Sequence, residues 1–196
     1  NALIRLDGTE DKSKLGANAL LAVSLACLRA GAMSHNKELY EYVSSGKASL
    51  PIPMMNILNG GKHADNGLNI QEFMIVPVVK TFKEKLRAGS EIFYTLKKIL
   101  NEMGLITSVG DEGGFAPILD SNEEALKLIM RAISEAGYQP GKDVYIALDV
   151  AASEMYDAQN NKYLIDDKYI TPDELMQYYI GLLQKYPIVS IEDPFN

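Results

Sequence analysis

A chain of 196 residues with 47% hydrophobic and 23% charged side chains has ordinary globular composition and room for one sizeable core. Its net charge of −7 excludes a general nucleic-acid or anionic-membrane binder, which needs a basic face; an anionic ligand held locally by metal or a few lysines remains compatible with it. The single cysteine, Cys27, allows no internal disulfide and points to a reducing, cytoplasmic setting, and within the apolar run 22–28 it reads as a buried core thiol.

Residues 1–11 read as a polar lead with a turn at Leu6-Asp7-Gly8-Thr9. Asn18 can cap a helix over about 19–33, on which Leu21, Leu25, Leu28 and Ala32 recur at helical spacing. Its uncharged stretch 15–28, fenced by Lys14 and Arg29, falls short of the roughly 20 residues that span a membrane. A short helix is expected over 38–43, and the small polar segment 44–49 offers the one domain boundary.

Beyond it the pattern changes. Residues 51–58 read as a strand that starts after its prolines, and 73–76 as an antiparallel return across the glycine-rich loop 59–67. Leu86, Phe93, Leu96, Leu100 and Met103 stripe a helix over 83–103 that Gly104 stops. Ser121-Asn122-Glu123-Glu124 reads as a capping box opening a second amphipathic helix, which ends before Gly137. Residues 144–149 are apolar on both faces, as a parallel strand covered on both sides would be. Thr171-Pro172-Asp173-Glu174 opens a helix to about 184. A strand over 188–191 then ends in Glu192-Asp193-Pro194. The order is α/β, a ββαα start leading into βα units.

Asp149 and Glu192 each end an apolar strand, and one helical crossover joins the two strands. Parallel and adjacent, roughly 4.8 Å apart, they would bring both carboxylates to one edge, able to converge on a cation. Ala147 and Ser190, two residues earlier, leave room beside them. Oxygen donors favour Mg²⁺, and no Cys or His cluster suggests zinc. On spacing alone the same acids could equally cap the turns that follow. Glu72 and Glu112 form a second pair: crowded negative charge raises one carboxyl so that it keeps a proton for acid catalysis. Read singly, Asp111-Glu112 could as well be a solvated loop pair and His63 polar surface. Gly60, Gly61 and Gly67 would let the His63 loop move as a lid.

Taken in order and with their gaps, Asn56-Ile57-Leu58-Asn59-Gly60-Gly61-Lys62-His63-Ala64, Gln71-Glu72-Phe73-Met74, Val109-Gly110-Asp111-Glu112-Gly113-Gly114, Leu148-Asp149-Val150-Ala151-Ala152-Ser153-Glu154 and Ser190-Ile191-Glu192-Asp193-Pro194 resemble the enolase family. So does Lys12-Ser13-Lys14-Leu15-Gly16-Ala17-Asn18-Ala19 before them. The resemblance implies a ββαα(βα)6 TIM barrel. Residues 51–196 would be its first half, and residues 1–50 a helical segment joining it to an amino-terminal α+β domain that is mostly absent. It implies a hydro-lyase that reversibly dehydrates 2-phosphoglycerate to phosphoenolpyruvate in glycolysis with Mg²⁺. By position Glu112 matches the proton donor to the departing hydroxyl, with Glu72 assisting and touching substrate; Gln71 and His63 match substrate-contacting residues; and Asp149 and Glu192 match two of three metal-binding carboxylates. It also implies a cytoplasmic homodimer or larger homo-oligomer, with a cell-surface pool and binding partners there.

The chain opens at Asn1 rather than Met and stops at Asn196 directly after a strand-like run, so it is expected to be an internal portion of a longer protein. A barrel of this kind takes roughly 250 residues, and by the resemblance the third metal aspartate, the lysine base, a second lysine and the phosphate-binding arginine and serine lie past this chain's last residue. Lys62 and Lys185 match none of them. Alone, the piece is expected to be inactive and prone to aggregate through unpaired strand edges. The alternative is an enolase-like binding or structural component without turnover.

Overall fold

This computed structural model describes residues 1–110 and 112–196, and their contacts divide into two units, 1–50 and 51–196. The first unit holds three helices, α1 (Ala2–Asp7), α2 (Ala17–Ser34) and α3 (Leu39–Val43). The expected polar lead is thus helical at its start. Gly8 ends α1 at φ 75°, and the buried Asp7 carboxylate pins the following turn by accepting from the Thr9 and Leu15 amides at 3.0 and 2.7 Å. Glu38 and Glu41 cap α3 reciprocally.

Cys27 is exposed, not the core thiol expected of it. Within this unit only two short helices touch α2, which is too little surface to cover it, and Ala32 is its one buried residue. An apolar run is therefore not an interior here. At 18 residues and mean hydropathy 1.4, α2 is long and apolar enough by those two measures to cross a membrane, although its uncharged part is shorter and Arg29 lies within it.

The second unit is built on a four-stranded sheet in the order β1 (Met55–Asn59), β2 (Glu72–Pro77), β3 (Val144–Asp149), β7 (Ile188–Glu192). β1 and β2 pair antiparallel, as do β2 and β3, whereas β3 and β7 pair parallel. Helices α4 (Phe82–Glu102) and α5 (Asn122–Glu135) follow β2, and α6 (Pro172–Lys185) precedes β7. Thr81 and Thr171 open α4 and α6 with full capping boxes. Ser121 accepts from the Glu124 amide, while the Glu124 carboxylate turns back to the Asp120 amide.

Strand alternation divides the side chains between two faces. Phe73, Ile75, Ile146 and Leu148 join Ile92, Leu96, Leu126 and Ile129 in the main core, with Phe115 stacked on Phe93 at 4.3 Å between ring centres. Met74, Val76 and Ala147 form a small separate cluster on the other face. One part of this unit was not expected at all. Three short strands, β4 (Tyr156–Asp157), β5 (Lys162–Ile165) and β6 (Lys168–Ile170), form an antiparallel sheet inside the β3–α6 crossover.

Candidate active site

The strand pairing decides where the acids go. Across one edge of the sheet the register reads Asn59↔Glu72, Glu72↔Asp149 and Asp149↔Glu192. Directly opposed residues share a face, so three carboxylates from three neighbouring strands stand in a row. They alternate with Phe73 and Leu148 and fall on the side of Met74 and Ala147, away from the helices. β2 runs against its neighbours, so its acid stands at its first residue, whereas Asp149 and Glu192 stand at the last residues of theirs. Gln71 locks this edge: its amide donates to the Asp149 carbonyl at 3.0 Å and its Nε2 to Asp149 Oδ2 at 3.2 Å.

Two loops bring the remaining groups over the row. The loop between β1 and β2 closes on itself, with Gly60 N donating to Gln71 O at 3.0 Å and Gly61 N to Leu68 O at 2.8 Å. A Cβ on Gly60 would lie 2.5 Å from both Ile70 O and Leu68 Cβ. The glycines read as hinges are thus, at 60 and 61, points of close approach. The loop carries His63, whose Nδ1 lies 3.3 Å from Glu72 Oε1 and whose Nε2 lies 3.8 Å from Glu112 Oε2.

Glu112 comes from the second loop, with 66% of its side chain exposed against 15% for Glu72. Asp111, read with Glu112 as an acidic pair, lies outside the described residues. Gly113 and Gly114 follow at φ 81° and 74°, and the chain then runs beside β1, with Asn59 N donating to Phe115 O at 2.8 Å and Phe115 N to Ile57 O at 3.0 Å. A Cβ on Gly114 would sit 3.0 Å from Leu58 N, so only glycine fits.

This crowding has an electrostatic result. Burial pushes the Glu72 carboxyl above its ordinary value; Asp149 and Glu112 push the same way, and His63 partly opposes them. A carboxyl there keeps its proton to higher pH than a free glutamate.

Two donor sets could take a cation. His63, Glu72 and Glu112 offer one atom each within 4.8 Å of one another, but this set mixes ring nitrogen with oxygen, and the imidazole already lies between the two acids. Asp149 and Glu192 offer oxygens alone, in register at adjacent strand ends, which fits a hard ion such as Mg²⁺ better.

Comparison with known families matches residues 47–196 to the enolase C-terminal TIM barrel domain and residues 1–43 to the enolase N-terminal domain. The chain belongs to the enolase family. The four-stranded sheet and its helices are accordingly a partial α/β enolase fold, and α2 lies wholly within the match to the enolase N-terminal domain. Membership brings metal-dependent lyase chemistry as a property of enolases in general. Sequence reasoning missed Asn59, Asn66 and Asn122, all buried and all bonded to the two site loops or to the chain entering β2. Asparagine beside glycine or at a helix start reads as a turn or a cap, so nothing in their type or spacing marked them.

Proposed function

We propose that the protein containing this chain interconverts 2-phosphoglycerate and phosphoenolpyruvate with Mg²⁺. The observation that carries the reading is the in-register row Glu72, Asp149, Glu192, with His63 and Glu112 placed over its Glu72 end. Asp149 and Glu192 would hold the ion, which when bound supplies positive charge against the substrate carboxylate. Gln71 Nε2 orients Asp149. Glu112, exposed on its glycine loop, gives a proton to the departing hydroxyl, and Glu72, whose carboxyl burial pushes up and Glu112 pushes the same way, assists it from the other side of His63. His63 sits between them and faces the substrate. Removal of the proton beside the carboxylate is assigned to no residue here: Lys62 is paired with Glu154 at 3.1 Å and Lys185 with Glu123 at 3.1 Å. Across the enolase superfamily that base is a Lys or His, a general pattern that membership implies.

The same reading places the protein in the cytoplasm as a homo-oligomer, with residues 51–196 as the first half of its barrel. The test is phosphoenolpyruvate formation by the natural protein with and without Mg²⁺, repeated for Glu112→Gln. Turnover that needs Mg²⁺ and falls on the order of 100-fold or more in the variant is expected. Absence of turnover, or indifference to Glu112→Gln, would overturn the reading and leave a binding or structural role.

A further inference from the structure

Four polar side chains are buried among the described residues: Asp7, Asn59, Asn66 and Asn122. Asp7 closes a turn in the first unit. The three asparagines belong to the second, and each holds main chain beside a residue of the candidate site. Asn59 Nδ2 donates to Gly113 O and, at 3.1 Å, to Gly114 O, the two residues after Glu112. Asn66 lies in the His63 loop and fixes it by donating to Asn59 O at 2.9 Å and Pro117 O at 2.8 Å. Asn122 Oδ1 accepts from the Asn69 and Ile70 amides, both at 3.1 Å, immediately ahead of Gln71 and Glu72. Its Nδ2 donates to Asp166 Oδ1 at 2.8 Å.

Withdrawing a carboxamide from water is costly unless its polar atoms are paired, and here each is paired with main-chain groups that an apolar side chain of similar size would leave unsatisfied. Helix and strand bonding elsewhere in the unit needs no such device. What the three share is the end of the sheet where Glu72, Asp149 and Glu192 stand.

We infer that Asn59, Asn66 and Asn122 are positioning residues, each setting the place of one proton-handling or substrate-facing segment: Glu112, His63, and Gln71 with Glu72. The inference rests on the proposed dehydration. Asn59 and Asn66 act as donors to carbonyls, whereas Asn122 acts as an acceptor from amides, so one substitution has different consequences at each. Asn59→Asp keeps the size and turns an oxygen toward the Gly113 and Gly114 carbonyls. Asn122→Asp keeps the acceptor but sets a carboxylate against Asp166.

The experiment uses the natural protein and reads kcat, KM and the assigned imidazole ¹⁵N resonances of His63, with His35 as reference. Asn59→Asp is expected to lower kcat on the order of 100-fold while KM changes by less than about threefold, and to move the His63 resonances with His35 unmoved. Asn122→Asp should lose activity, and adding Asp166→Asn should restore much of it. If Asn59→Asp does not fold, Asn66→Ser carries the same expectation under the same measurements. Unchanged kcat, or unmoved His63 resonances in folded variant, overturns the inference. Natural protein that forms no phosphoenolpyruvate sinks the functional reading alone, and the His63 resonances then decide the positioning by themselves.

Discussion

Glu72 shows how one residue's surroundings set its chemistry and its cost. Its folded pKa is raised above the 4.5 of an ordinary glutamate, so between the two values the folded state holds a proton that the unfolded state has released. That contribution to stability is complete below the ordinary value and is lost as pH rises through the raised one. Glu72→Gln stays neutral throughout. Thermal melts in metal-free buffer should therefore show the variant gaining on the natural protein as pH rises above the ordinary glutamate value, while its kcat falls on the order of 100-fold. A variant that loses ground with rising pH would show that burial does not set this carboxyl. At the same scale, Glu72, Glu112, Asp149 and Glu192, singled out in the sequence for their charge, are acids that the strand register and the His63 contacts gather at one edge of the sheet. Cys27 and the three asparagines could not be placed from the sequence, because burial depends on what packs above a residue, and the neighbours in sequence do not say.

Elements were legible where their ends carry side-chain chemistry. The Thr81 and Thr171 boxes fix the starts of α4 and α6, and the expected helices agree with the observed ones to a residue or two. Thr81→Ala should cost about 1 kcal/mol of stability, seen as a lower melting temperature with kcat unchanged, since α4 starts at the edge of the sheet away from the acids. A change in kcat would mean that α4 transmits to the site. The β4–β6 sheet was missed for a physical reason. Its strands are two to four residues long, too short to show a period, and the signal that survives is the turn Asp166-Asp167, both residues at positive φ, as a two-residue hairpin requires. That turn also supplies the Asp166 carboxylate to Asn122, so an element invisible to periodicity reaches the site loops.

At the scale of the whole molecule, β1 and β7 stand at the two ends of the four-strand order. β7 presents exposed Val189, and α6 before it exposes Met176, Ile180 and Leu183. An open strand edge beside apolar side chains is a template for association. The 196-residue chain produced by itself should scatter light increasingly with concentration; a stable monomer across the micromolar range would refute this. The parallel β3–β7 pair and the convergence of Asp149 and Glu192 were readable from strand, helix, strand order, because a single crossover constrains both direction and neighbour. The row's third member was not: pairing Glu72 with Asp149 needed the register of β2, which only packing supplies.

The reversed direction of β2 also divides the chain into places that tolerate grafting and places that do not. Its entrance belongs to the acids, so the connection leading in, 60–71, has no spare length. Its exit lies at the far edge, where Val78 N donates to Asp143 O at 2.8 Å and Lys80 is exposed. A short flexible insert between Val79 and Lys80 should leave turnover intact, whereas the same insert between Ala64 and Asp65 should abolish it. A reporter peptide or an affinity tag could thus be carried internally, on the side of the sheet edge that chemistry does not use.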